Sequence, residues 1–249
     1  MKKAIIIGAS SGIGRAVASL LVEKGWRVAV TARRTDALDE LRVMYGADRV
    51  MTMAMDVTKT EATTTLDNLL GEFGAPDLFF YASGIGGQNR ELDIEKELDI
   101  IRTNCEGMVR VVDHFVNYVR SSEEYNKKHK AHIAVITSVA GTRGIGTAAA
   151  YSASKAMQSE YITALSQLCH MEHIPAKFTD IRPGFVKTAI LNPEKRYPML
   201  ISVERAAQHI YRALKRKRRV FIFDWRFKLV VAFWHLIPRF VWERLKVKN

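Results

Sequence analysis

With 249 residues, 48% of them hydrophobic, the chain is long enough to bury a large core as one α/β unit and too apolar to stay disordered. Two cysteines, Cys105 and Cys169, exclude a disulfide framework and suit a reducing compartment. The net charge of +12 gathers at one end: residues 212–249 carry 12 Lys or Arg against Asp224 and Glu243, whereas the other 211 residues carry 26 basic and 24 acidic groups.

Lys2 and Lys3 followed by the apolar run 4–7 faintly resemble an export signal, but the run stops at Gly8 and reads as a first strand buried on both faces. Gly8, Gly12 and Gly14, with Ala9, Ser10, Ser11 and Ile13 between them, then break the chain before a helix over 15–24 that Gly25 ends. Strand, glycine turn and helix in this order make a nucleotide-binding start. The glycines permit close backbone approach, and the helix offers free N–H groups and its positive dipole end to a pyrophosphate. The second strand, 27–31, ends in Ala32, Arg33 and Arg34, where a chain selecting NAD usually carries a carboxylate for the ribose 2′-hydroxyl. Two guanidiniums match a 2′-phosphate instead, so NADP(H) is the expected cofactor; the bland alternative is that they merely solvate the strand end. Asp36 is expected to cap the following helix.

A third strand over 50–55 leads into Asp56 and Val57, and a helix is expected over 59–73. A fourth strand, 78–81, precedes the small-residue loop Ala82, Ser83, Gly84, Ile85, Gly86, Gly87. Residues 94–120 read as a long helical region interrupted near Asn104, and the polar stretch 123–130 as a surface connection. The run 133–136 is a strand ending at Thr137, 148–170 a helix, 176–181 a strand, 203–217 a helix and 220–223 a last strand. The charge- and proline-rich segment 192–198 reads as a mobile lid, with substrate choice placed in 189–201 and in the residues after Ser138. Strands alternating with helices predict an α/β fold of Rossmann type: a doubly wound, mostly parallel sheet with helices on both faces, its ligand beyond the strand C-termini.

The stretch 138–155 brings together a hydroxyl, a phenol and an ammonium. Tyr151 and Lys155 are four apart on one helix face, so the ammonium is expected to favour phenolate, and Ser138 at a strand end can orient an oxygen. The chemistry that needs this trio is proton transfer to or from a carbonyl or alcohol oxygen. Moving a phenol from ~10 to ~7 requires roughly 4 kcal/mol, more than one lysine supplies in water.

These residues together give the chain its resemblance to the short-chain dehydrogenase/reductase family, from Lys3 to about Phe223. The matching residues are Gly8 to Gly14, Asp56 with Val57, Asn104, Ser138 with Tyr151 and Lys155, and Pro183 and Gly184 with Thr188. The resemblance implies an NADP(H)-dependent oxidoreductase moving hydride between nicotinamide and a ketone, aldehyde or secondary alcohol, with Tyr151 as general acid and base. By the same resemblance Asp56 holds the adenine, and Ala82, Ser83, Gly84 and Val186 line the cofactor. Thr188 with Pro183 and Gly184 holds the nicotinamide amide, and Asn104 anchors a water that links Lys155 to solvent. It also implies a homodimer or homotetramer paired through helices near 109–119 and 153–168. Two departures stand out: Ile7 replaces the usual threonine, and Tyr81, Ala82, Ser83, Gly84 replace Asn-Asn-Ala-Gly, losing an amide that braces the sheet.

Cys169, His170 and His173 lack the spacing of metal ligands, so no metal is expected. The basic run 215–219 sits between a helix and a strand and reads as a solvated turn rather than a nucleic-acid site. Two other functions remain on the same fold: a cofactor-binding scaffold without turnover, and a membrane-surface protein. The tail 224–249 extends beyond the 1–223 core as an amphipathic helical extension. Its apolar run 229–237 is about half the ~20 residues of a span and is followed by Pro238. Arg226, Lys228, Arg239, Arg244, Lys246 and Lys248 flank it, with Trp225, Trp234 and Trp242. Either the tail packs on the protein or a partner subunit, or it lies on a membrane, so the expected location is cytoplasmic, with membrane association as the second reading.

Overall fold

Strand β1 (Lys3–Ile7) owes its place to four successive apolar side chains, Ala4 to Ile7, all essentially inaccessible to solvent. Burying each such isoleucine contributes about 1.5–3 kcal/mol, which fixes this strand at the centre. The computed structural model describes residues 1–192 and 194–247; Pro193 of the expected lid and Lys248 of the tail lie outside the described residues. In chain order there follow α1 (Gly12–Glu23), β2 (Arg27–Ala32), α2 (Asp36–Tyr45), β3 (Val50–Ala54), α3 (Ala62–Phe73) and β4 (Leu78–Tyr81). The second half runs α4 (Ile94–Ile101), α5 (Gly107–Ser121), β5 (Ala131–Ile136), α6 (Ala149–Met171), β6 (Ala176–Arg182), α7 (Val203–Lys215) and β7 (Val220–Ile222). The tail forms α8 (Trp225–Leu236) and α9 (Arg239–Trp242).

The strands form one sheet in the order β3-β2-β1-β4-β5-β6-β7, every pairing parallel, with Ile5 beside Ala29 on one side and Phe79 on the other. Successive side chains alternate between faces. Ile5, Ile7, Phe79, Ile133 and Val135 meet α3, α5 and α6, while Ala4, Ile6, Val28, Phe80 and Ala134 meet α1, α2 and α7. The sheet is thus doubly wound. Strand order reverses between β1 and β4, and there a crevice opens past the strand ends.

Local chemistry moves several boundaries. Asp36 is not the cap of α2 but its first residue; Thr35 precedes it with no side-chain cap bond, and Asp36 with Asp39 instead favours the dipole from the first turn. Helix α3 starts at Ala62 rather than 59, because the Asp56 carboxylate takes the Thr58 N–H at 3.0 Å and its hydroxyl at 2.8 Å and turns the chain first. The interruption near Asn104 is a π-helical turn over Arg102–Glu106. Within the surface connection Tyr125 is buried, its hydroxyl donating to the Pro76 carbonyl at 2.8 Å.

The tail is docked rather than free. Phe227 and Val231 of α8 are buried against Val139, with Phe185, Met199 and Ile222 around them. The Arg143 guanidinium donates to the carbonyls of Trp234 (3.1 Å), His235 (3.2 Å) and Ile237 (2.7 Å), closing the C-terminal end of α8 with a cation. Trp242 donates its indole N–H to the Gly144 carbonyl at 2.8 Å and meets the Trp234 ring at 5.2 Å. Trp234 and Trp242 therefore face the body, and of the three tail tryptophans Trp225 alone is largely exposed.

Candidate functional site

A cleft of about 490 Å³ lies past the C-terminal ends of the strands. Its first wall is the glycine turn. Gly8 (φ +89°) and Gly12 (φ +59°) occupy left-handed backbone, and a Cβ at Gly8 would come within 2.6 Å of the Ser83 nitrogen. A Cβ at Gly14 would lie 2.1 Å from the Gly8 carbonyl oxygen. These contacts bring the ends of β1 and β4 together, with the Ala82 N–H donating to the Ile7 carbonyl at 2.8 Å. Ser11 precedes α1 without a side-chain cap bond, so the first-turn N–H groups face the cleft as donors for an anion.

The second wall is the end of β2 and the residues after β3. Arg33 and Arg34 are exposed on the cleft, and Arg34 donates to the Ser10 hydroxyl at 3.3 Å. For Asp56, burial pushes the carboxyl pKa up, but the Thr58 hydrogen bonds, with Arg33 and Lys59 nearby, outweigh it and leave a net lowering. The Asp56 carboxylate near Arg33 and Lys59, with Arg34 on the same cleft, gives this end one acceptor and several donors. Tyr81 has Ser83 as its polar neighbour, yet among the described residues its buried hydroxyl makes no hydrogen bond of good geometry. Backbone pairing of β1 with β4 and the close approach of Gly8 to Ser83 join the two strands here.

At the third wall Ser138, Tyr151 and Lys155 meet. Ser138 lies two residues past the end of β5, and its hydroxyl accepts the Ala140 N–H at 3.1 Å and lies 3.4 Å from the Pro183 carbonyl. Helix α6 has no cap bond from its own leading residue; the Glu97 carboxylate from α4 accepts the Ala150 N–H at 2.7 Å and so fixes the turn that carries Tyr151. Gly86 lies so close that a Cβ there would come within 2.5 Å of the Tyr151 ring. The expectation that the ammonium favours phenolate is not met here. Burial raises the Tyr151 pKa, the Ser138 hydrogen bond opposing it, and Lys155 holds its Nζ 5.8 Å from the ring centre.

Lys155 is buried, and burial pushes its pKa down to about 8, with Cys105 and Asp180 acting in the opposite sense. Its Nζ donates to the Ile136 carbonyl at 3.1 Å and to Gln158 Oε1 at 2.9 Å. Gln158 Nε2 in turn donates to the backbone carbonyl of Asn104 at 2.7 Å. The fully buried Gln158 amide thus links Lys155 to the backbone of Asn104. The Asn104 side chain braces the loop after β4: Oδ1 accepts the Ile85 N–H at 2.9 Å, and Nδ2 donates to the Ile85 carbonyl at 2.8 Å and to Ser154 Oγ at 3.0 Å. Asn104 stands behind the cleft and does not line it.

The remaining wall carries Pro183, Gly184, Val186 and Thr188, the last so near Gly12 that a Cβ there would meet its methyl at 3.3 Å. Ala189, Ile190 and Leu191 add an apolar rim. Lys195 of the expected lid donates to Gln88 Oε1 at 2.5 Å, and the Phe185 and Tyr197 rings lie 4.9 Å apart. Every expected cofactor residue from Gly8 to Thr188 lines this one cleft, and so does Ser138. Sequence reasoning missed Glu97, Gln158, Thr103, Thr137 and the Arg143 clamp. Only Gln158 carried a local signal, its position three residues after Lys155 on the same helical face.

The pattern of the short chain dehydrogenase family matches residues 2–197. An uncharacterized oxidoreductase of Myxococcus xanthus is 30% identical over 244 residues, covering 95% of this chain and 93% of its own. The 3-oxoacyl-(acyl-carrier-protein) reductase of Vibrio cholerae is 29% identical over 208 residues, covering 81% of this chain and 82% of its own. Among solved structures, an alcohol dehydrogenase of Thermococcus sibiricus complexed with 5-hydroxy-NADP superposes with a TM-score of 0.75 at 26% identity, over 90% of this chain and 95% of that one.

Proposed function

The chain belongs to the short-chain dehydrogenase family of oxidoreductases, and from that premise we propose that it is an NADP(H)-dependent carbonyl reductase, reversible as an alcohol dehydrogenase, with Tyr151 as proton donor. The observation that carries the reading is the meeting of Ser138, Tyr151 and Lys155 at the end of a cleft whose other end is an uncapped helix start flanked by Arg33 and Arg34. The glycine turn and Thr188 fit a dinucleotide, the α1 N–H groups its pyrophosphate, and the two guanidiniums a 2′-phosphate. When bound, the cofactor supplies the hydride. Ser138 orients the substrate oxygen, Tyr151 gives that oxygen its proton, and Lys155 holds the ribose.

Burial raises the Tyr151 pKa, so the phenol is protonated at neutral pH, the form that reduction requires of a proton donor. Oxidation needs the phenolate, which a positive charge brought beside the phenol would favour. The apolar rim Ala189, Ile190 and Leu191, with the name of the Vibrio relative, makes ketone-bearing acyl chains the first compounds to try. The test is a panel of carbonyl compounds followed by NADPH absorbance. Tyr151→Phe is expected to abolish turnover of the best substrate while NADPH still binds; an undiminished rate would overturn the assignment.

A further inference from the structure

The tail presents two opposite faces. Its inner face, Phe227 and Val231, is buried on the body, whereas Trp225 (69% exposed), Leu229 (60%), Phe233 (64%) and Leu236 (79%) point outward, joined by Phe240 (63%) on α9. At ~100° per residue the four α8 side chains fall within an arc of about 80°, and Arg226 and Lys228 lie one on each side of it. Inner packing is already complete, so the outer stripe is not needed for the fold. Single exposed apolar residues are ordinary, but a continuous stripe of this kind marks a contact surface.

We propose that the outer face of α8 and α9 rests on a membrane surface rich in anionic phospholipid. Charge decides the occupant. The two acids of this stretch, Asp224 and Glu243, are paired with Arg226 and Arg239 of the same chain, which leaves Lys228, Arg244 and Lys246 uncompensated among the described residues. In a two-fold interface the same patch meets itself, so a second copy would set these cations against their own kind. Anionic headgroups complement them, with the aromatic rings at headgroup depth. No helix among the described residues is long and apolar enough to cross a membrane, so the contact lies along the surface. The proposal stands apart from the hydride chemistry.

The test is sedimentation of the full chain with vesicles of phosphatidylcholine alone and with vesicles rich in phosphatidylglycerol. Binding is expected to the second at low salt, to weaken as salt rises, and to fall at least roughly tenfold in the double variant Leu229→Glu, Phe233→Glu. Because both residues point away from the body, the variant should keep the parent melting temperature and NADPH affinity. A second variant, Lys228→Glu with Arg244→Glu, should lose the preference for phosphatidylglycerol while leaving the apolar stripe intact. The proposal is overturned if the full chain stays in the supernatant with phosphatidylglycerol at low salt, or if the Leu229→Glu, Phe233→Glu variant sediments as before. It is also overturned if light scattering shows that this variant converts a dimer to a monomer, which would make the face a self-interface.

Discussion

Gln158 offers the sharpest test of how this site controls its lysine. Its amide joins Lys155 Nζ (2.9 Å) to the Asn104 carbonyl (2.7 Å) with no solvent exposure. Gln158→Leu removes a hydrogen bond to a charged group, worth ~1.5–3 kcal/mol, and orphans the Asn104 carbonyl at a further ~1–3 kcal/mol of stability. The lost bond stabilises the ammonium, so the Lys155 pKa, already about 8, is expected to drop by about one unit. Gln158→Glu sets a carboxylate beside the ammonium and moves it upward. The assay is kcat/KM against pH from ~6 to ~10 with NADPH and the best carbonyl substrate. If activity needs the ammonium, its alkaline limb should shift down in the leucine variant and up in the glutamate variant. Thermal melts run alongside. Two variants that melt earlier yet keep the parent limb would show that Gln158 serves packing alone and refute the reasoning.

Two further outcomes follow from named charges. Replacing Arg33 and Arg34 with alanine should weaken NADPH by tenfold or more and leave NADH nearly unchanged, since each charge-assisted contact is worth ~1.5–3 kcal/mol; equal parent dissociation constants for the two cofactors by calorimetry would contradict the NADP(H) reading. His132 is buried, and burial, with Lys217 and Lys177 nearby, pushes its pKa down to about 4. The Thr179 hydroxyl donates to the Arg218 carbonyl at 2.6 Å, so His132 Nε2 must be the donor in its 2.8 Å contact with that oxygen, as neutral imidazole allows. An unfolded chain takes up the proton near pH ~6.5 and the folded one only near 4. Stability is therefore whole above that range and falls by roughly 3 kcal/mol as pH drops through it. His132→Gln should move the acid-unfolding midpoint to lower pH, read by circular dichroism; an unchanged midpoint would remove His132 from the account.

The sequence spelled out those parts of the site that depend on the backbone. Gly8, Gly12 and Gly14 could be read because left-handed φ and backbone contact leave few other residue types acceptable, and their spacing is local. The alternating strands and helices were equally legible, since one strand face meets each helix layer. Side-chain direction was not. The four-residue spacing placed Lys155 near Tyr151 correctly, but the Ile136 carbonyl and Gln158 claim its Nζ, and burial outweighs the expected lowering of the phenol. Glu97 and Arg143 act across 53 and 91 to 94 residues of chain, distances over which no periodicity carries a signal. Asp36 failed as a cap because propensity names a residue type, and Thr35 had the preceding position.

A Cβ on Gly184 would come within 2.1 Å of the Phe227 ring. Gly184 lines the cleft, and Phe227 belongs to the helix whose far side carries the outward stripe, so one helix thickness separates the two surfaces. The division at residue 223, natural from the sequence, therefore runs through a shared packing unit, and cutting there would expose Val139 beside Ser138. Two surfaces that share one rigid element share a free energy. If a partner on the outer face of α8 altered how Phe227 seats against Gly184, a ligand bound at Gly184 would, by reciprocity, change the affinity of α8 for that partner by the same factor.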